Sequence, residues 1–144
     1  MRLSTKGEYG LLALVDVAMH TDEGVVQVHQ IAERQGIPKQ YLDQLMAMLK
    51  KAGFVTSSRG RQGGYSLARR PDTVTLLDVI TALEGPVHNP NFLPRGRRKL
   101  PARGVLRNVW DDLWARSIGT LRGKTLEDIC HECELVERAP MYYI

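Results

Sequence analysis

Gln40 and Gln44 stand one helical turn apart in the run KQYLDQLMAMLKK. The apolar residues of that run, Leu42, Leu45, Met46 and Leu49, fall at i, i+3, i+4 and i+7. Such spacing gathers them on one inward stripe and leaves Lys39, Gln40, Asp43, Gln44 and Ala47 on the opposite face. A glutamine amide presents a donor beside an acceptor, the pattern an adenine edge offers in a DNA major groove, and a small alanine permits close approach. Lys39 and Tyr41 suit phosphate oxygens. Asp43 repels phosphate, but its carboxylate can accept from cytosine N4 or exclude wrong sequences. Further on, SSRGRQGGYSL places Arg59, Arg61, Gln62, Gly63 and Tyr65 around a glycine-rich turn. Guanidinium groups there suit the negative potential of a narrow minor groove.

A second constellation, Cys130-His131-Glu132-Cys133, has metal-like spacing. Tetrahedral zinc wants four ligands, and a redox C-x-x-C opens a helix after a strand. Here the pair is expected to close a helix, no second C-x-x-C exists, and His20, His29 and His88 are scattered. Structural cysteines are the simpler reading; a metal or redox sensor using Cys130 and Cys133 stays open as an alternative. No Walker loop, nucleophile elbow or H-E-x-x-H motif occurs, so enzymatic activity has no residues to rest on.

The elements that position the first constellation follow from periodicity and punctuation. Ser4 caps a first helix carrying Leu11, Leu12, Leu14, Val15, Ala18 and Met19, which ends near His20 at the turn Thr21-Asp22-Glu23-Gly24. Val25 to Gln27 reads as a very short strand. Val28 to Gln35 reads as a two-turn helix with Ile31 and Ala32 inward. Gly36 serves as a left-handed cap, and Pro38 falls in the first turn of the next helix, Lys39 to Ala52. Residues 54–58 and 65–68 read as hairpin arms, with Gly60, Gly63 and Gly64 supplying positive φ and close approach to a phosphate backbone. Thr75 caps a helix to Leu83. Residues 84–103 hold four prolines and read as an irregular connector. Helical period returns from Arg103 to about Gly119, where Leu106, Val109, Leu113 and Ile118, with Trp110 and Trp114, form a broad apolar face. A lone helix after a long connector cannot bury that face itself, so a partner helix from a second subunit is expected. Thr125 caps a last helix, expected from Leu126 to about Cys133. Helix, tight turn, helix and hairpin in this order make a mainly α winged helix-turn-helix with a small β-wing, followed by a long C-terminal dimerisation helix.

The 144 residues allow about one domain with one appended element. Net charge is +4 with pI near 9.3. Its distribution says more: residues 55–71 hold four arginines and no acid, 95–107 hold six basic residues and no acid, and from Asp111 acids outnumber bases seven to four. The front and middle of the chain favour phosphate. No apolar stretch reaches the roughly 20 residues that span a bilayer, and MRLSTKGEYG has no signal-peptide pattern. A cytoplasmic protein without membrane association is expected.

MRLSTKGEYGLLAL, YLDQLM and SSRGRQGGYSL resemble the Rrf-two family of bacterial winged-helix transcriptional regulators, over nearly the whole chain. The resemblance implies a homodimer on double-stranded DNA, with Arg2, Thr5, Lys6 and Tyr9 positioning the backbone and the long helix crossing between subunits. Iron–sulfur members of the family carry three closely spaced cysteines before that helix; residues 88–104 here have none. No cofactor is expected. The basic residues Arg95, Arg97, Arg98, Lys99 and Arg103 stand there instead, as a solvated loop or an extra anion contact. The tail Met141, Tyr142, Tyr143 and Ile144, with its terminal carboxylate, resembles the family's CymR-like, cysteine-metabolism branch. That resemblance implies control of cysteine and sulfur metabolism, with cysteine synthase as a co-repressor clasping the tail. The expected plan is a DNA-binding domain at 1–83, a basic connector at 84–102, a dimerisation helix at 103–120, and a C-terminal helix and tail at 121–144. A regulatory module that never touches DNA remains the other alternative.

Overall fold

The computed structural model describes residues 2–89 and 100–140. Six helices and one two-stranded sheet are found among them. Helix α1 (Thr5–Met19) starts where the Ser4 hydroxyl accepts from the Gly7 amide, 3.2 Å. Helix α2 (Val28–Gln35) ends at Gly36, whose φ of 63° is the left-handed cap the sequence implies. Helix α3 (Lys39–Lys51) follows after two residues. Pro38 is its N-cap, with extended ψ, and not a member of its first turn. Leu42, Leu45, Met46 and Leu49 are all buried, as their spacing dictates.

Strands β1 (Val55–Ser58) and β2 (Gly64–Leu67) pair antiparallel, Val55 opposite Leu67 and Ser58 opposite Gly64. The expected strand at Val25–Gln27 is a single bridge: Val26 and Tyr65 exchange two 2.8 Å backbone hydrogen bonds. Helix α4 (Leu76–Glu84) and helix α6 (Leu126–Arg138) each begin with a capping box, Thr75 with Asp78 and Thr125 with Asp128. The two caps are joined edge to edge by Leu76 N–H to Lys124 O, 2.9 Å, and Leu126 N–H to Val74 O, 2.8 Å. Leu126 thereby enters the main core with Leu14, Val17, Ile31, Leu42, Met46 and Leu49.

Helix α5 (Pro101–Gly123) is longer than its sequence pattern, because Pro101 opens the helix where proline costs no hydrogen bond. Helix α6 is also longer, running five residues past Cys133, so the cysteine pair sits within a helix and does not close one. None of the residues of α5 is buried. Val105, Leu106, Val109 and Leu113 are 63%, 53%, 48% and 50% exposed. No helix among the described residues is long and apolar enough to cross a membrane.

Candidate nucleic-acid interface

With one stripe of α3 in the core, the other face is left to solvent: Lys39, Gln40, Asp43, Gln44, Ala47 and Met48 are exposed. Met48, 36% exposed, continues the Gln40–Gln44 row by another turn. The sequence reading passed over it, although its i+4 spacing from Gln44 was the available signal. Asp43 pairs with Lys39 at 3.1 Å across one turn of the helix. The pairing offsets part of its repulsion of phosphate and leaves Lys39 less available as a phosphate ligand. Tyr41 is half-buried and meets Tyr9 of α1 edge-on, ring centroids 6.0 Å apart. That contact joins the N-terminal part of α1 to the first turn of α3, so Tyr9 and Tyr41 act as a pair.

The start of α1 is held from behind. The Glu84 carboxylate, at the end of α4, accepts from the Ser4 amide at 2.9 Å and from the Ser4 hydroxyl. Gly7 and Gly10 let α4 come this close. A Cβ on Gly10 would stand 2.2 Å from Leu83 Cδ1, and one on Gly7 would stand 2.5 Å from a Glu84 oxygen. Arg2 and Thr5 are exposed and Lys6 half-exposed along this anchored end.

At the hairpin tip Arg59, Arg61 and Gln62 are exposed, and Gly60 alone of the three turn glycines has a positive φ, 105°. Gly63 and Gly64 are needed for a different reason than the one the sequence suggested. A Cβ on Gly63 would fall 2.3 Å from the Ser58 carbonyl oxygen, and one on Gly64 would fall 2.6 Å from that of Val26. The first contact is with the hairpin's own backbone and the second with the bridging segment before α2. The Gln27 side chain donates to the Arg61 carbonyl at 3.2 Å, tying the start of α2 to the tip. Tyr65 packs against the core and belongs to the support of the hairpin.

Two arginines counted toward a phosphate-facing surface have partners within the chain. Arg69 donates to the carbonyls of Gly53 and Ala52, both at 3.1 Å, and lies over the Phe54 ring, so it caps the end of α3. Arg70 pairs with Asp72 at 2.6 Å.

One group central to this scaffold escaped the sequence reading. Asp16 is 1% exposed in the last turn of α1. Its carboxylate accepts from Arg34 Nε at 3.0 Å, from a terminal Arg34 nitrogen at 2.7 Å and from the Gln35 amide at 2.9 Å. Burial pulls its pKa up, but the bonds from Arg34 and Gln35, with the Arg34 charge, outweigh burial and hold it below the ordinary value. A lone acid inside the apolar run LLALVDVAM was the signal.

Of the apolar set on α5, Leu106, Val109, Trp110 and Leu113 are exposed. Trp114 and Ile118 are half-buried and line a cavity of about 470 Å³ with Leu77, Thr81 and Pro86 of their own chain. Cys130 and Cys133 are half-buried, and burial followed by the neighbouring Cys133 pushes the Cys130 thiol up to about 11. No group of three or more His, Cys, Asp or Glu among the described residues is placed to hold a metal ion. The tail Met141–Ile144 and the basic run 95–99 lie outside the described residues.

A buried-stripe helix presented after a left-handed turn, followed by an arginine-tipped hairpin, defines a winged helix-turn-helix regulator. Residues 3–132 match the Rrf2 family model, described as an iron-dependent transcriptional regulator. The chain is 37% identical over 139 residues to IscR, an HTH-type transcriptional regulator of Photorhabdus laumondii, covering 96% of this chain and 85% of that one. It is 35% identical to CymR, an HTH-type transcriptional regulator of Bacillus subtilis, over the whole of both chains. The solved structure of CymR, the global cysteine regulator of B. subtilis, matches with a TM-score of 0.75 at 34% identity, covering 92% of this chain and 98% of that one. The structure of T. potens IscR matches with a TM-score of 0.79 at 39% identity, covering 99% of this chain and 95% of that one. This chain belongs to the Rrf2 family and is a transcriptional regulator, not an enzyme. It does not fit an iron–sulfur cluster held by closely spaced thiolates: its only cysteines are two on α6, remote in sequence from the connector.

Proposed function

We propose that the chain is a homodimeric repressor that reads a partly palindromic operator with α3 and grips the flanking backbone with its wing. The observation that carries this reading is the division of α3: its whole apolar stripe is buried, and Gln40 and Gln44 are left exposed. Those two glutamines read base edges, and Met48 offers an apolar surface to a thymine methyl. Arg59 and Arg61 enter the minor groove, while Arg2, Thr5 and Lys6 set the register on phosphates. Lys39 serves chiefly to hold Asp43, which faces cytosine. The exposed apolar residues of α5 form the subunit contact, so that two α3 helices meet half-sites about 34 Å apart.

The regulated genes belong to cysteine and sulfur metabolism, and cysteine synthase is the co-repressor, engaging Met141–Ile144. Two things support this finer reading: similarity along the full length to a global cysteine regulator, and a tail of that branch's type. Coupling requires that the enzyme prefer one state of the regulator.

A duplex selected by the protein from a random pool gives the test. Gln44→Ala relaxes base choice at one position per half-site by about 1–3 kcal/mol. Arg59→Ala weakens binding, most where the flanking minor groove is narrow, and lowers the salt slope by about one per site. Binding by both variants indistinguishable from the parent protein rules the DNA assignment out. Deleting Tyr143 and Ile144 abolishes binding of cysteine synthase and leaves DNA affinity intact; an unchanged titration removes the enzyme as partner.

A further inference from the structure

We infer that Asp16, Arg34 and Gln35 form a positioning joint that sets the angle of α3 to the DNA, so that mutating them changes sequence discrimination more than overall affinity. This rests on α3 being the base-reading helix. Arg34 and Gln35 are the last residues of α2, and only Gly36, Ile37 and Pro38 separate them from α3. Within that short turn Gly36 is fixed in the left-handed region and Ile37 is 3% exposed, its amide bonded to Ala32 at 3.1 Å. The chain therefore has little slack between the Asp16 anchor on α1 and the first residue of α3.

The chemistry of the anchor favours geometry over strength. A buried ion pair loses much of its Coulomb gain to desolvation, and an apolar pair of similar volume often stabilises as well. Burial of Leu14, Val17, Ile31 and Ile37 already joins α1 to α2. Apolar contacts of this kind tolerate sliding. A guanidinium fork on one carboxylate does not, because two parallel bonds fix distance and plane together. The Gln35 amide adds a third bond to the same carboxylate, 2.9 Å. The consequence at the DNA is a lever. A 10° rotation at the joint displaces a point five residues into the helix by about 1.3 Å at 1.5 Å rise per residue. A bidentate amide–base contact does not survive that shift, since hydrogen bonds occupy a window of about half an ångström. Contacts from flexible cationic side chains, Arg2 and Lys6 on phosphates and Arg59 and Arg61 on the wing, do survive it.

The experiment compares the full-length protein with Arg34→Lys, which keeps the charge but not the fork, and with Gln35→Met, which keeps size and helix preference but not the donor. Each binds a duplex selected by the parent protein from a random pool and a scrambled duplex of the same composition, at a temperature where circular dichroism shows native helix content. Arg34→Lys loses tenfold or more in affinity for the selected duplex and less than twofold for the scrambled one. Gln35→Met shows the same asymmetry, about threefold, and decides the matter if Arg34→Lys does not fold. Equal losses on both duplexes, or no loss in a folded variant, overturn the proposal. A parent protein that fails to distinguish the two duplexes refutes instead the DNA reading on which it rests.

Discussion

Truncation of Leu113 on α5 tests the proposed subunit contact most directly. The residue is 50% exposed in the single chain. Burying a leucine fully is worth about 2 kcal/mol, so roughly 1 kcal/mol remains to be gained against a partner. In a twofold-symmetric dimer each substitution occurs twice, and Leu113→Ala costs about 2 kcal/mol per dimer, near 30-fold in the dissociation constant. Leu106 is 53% exposed and carries a similar share. The double variant Leu106→Ala/Leu113→Ala should therefore lose about 4 kcal/mol, close to a thousandfold, the two sites being far enough apart along the helix to add. Alanine is the better helix former, so α5 itself is not put at risk. The winged part keeps its core, because no residue of α5 is buried in it. Sedimentation equilibrium over a dilution series measures the dissociation constants, and thermal melting monitors the fold. A parent protein sedimenting as a 16.2 kDa species at every concentration refutes the reasoning. So does a double variant whose dissociation constant is unchanged.

Three further outcomes are expected. The depressed pKa of Asp16 stabilises the fold at neutral pH, fully above its unfolded value near 3.8, and that contribution is lost as pH falls through the lower, folded value; the melting-temperature gap between the parent protein and Asp16→Asn should accordingly narrow only in acid, and a gap independent of pH contradicts the assignment. Gly63→Ala pushes a methyl group against the Ser58 carbonyl, 2.3 Å away, and should cost about 1–3 kcal/mol by forcing the hairpin apart, with DNA affinity falling alongside in the same melting and binding measurements. Cys130, with its thiol near pH 11, is about 0.1% thiolate at pH 8 and should react with iodoacetamide far more slowly than a free cysteine; rapid labelling located by peptide mapping shows the site to be more open than it is here.

Helix α3 was legible because its information is periodic. Leu42, Leu45, Met46 and Leu49 can share a stripe only in a helix, and burying that stripe assigns the exposed set without further data. Partnerships between distant residues leave no such period. Nothing local in ERQG announces that Arg34 reaches Asp16, eighteen positions earlier, and nothing near Ser4 announces Glu84. Charge counts misled for the same reason: Arg69 and Arg70 look like phosphate ligands until Ala52, Gly53 and Asp72 are seen to hold them. Helix ends were misjudged where polar residues carry the helix onward. Beyond Cys133 helix α6 is sustained by backbone bonding and a Glu134–Arg138 pair at 3.9 Å, with Leu135 and Val136 exposed, so no apolar stripe marked its length.

The pattern of internal pairing bears on how the regulator finds its site. Lys39 is tied to Asp43, Arg34 to Asp16, and Arg69 and Arg70 to the frame behind the wing. Arg2, Lys6, Arg59 and Arg61 stay accessible at the proposed interface, and Lys50 and Lys51 are exposed at the end of α3. Non-specific affinity scales with the number of phosphates neutralised, each adding about 0.9 to the salt slope. On the proposed reading, pairing of Lys39 with Asp43 lowers what Lys39 can contribute to binding of random DNA. On that reading, selectivity comes in part from lowering the background and in part from strengthening the right contact. If α3 reads bases, the glutamine row must be held within a fraction of an ångström, and the scaffold behind it sets directional bonds, at Asp16 and at Glu84, beside its apolar packing.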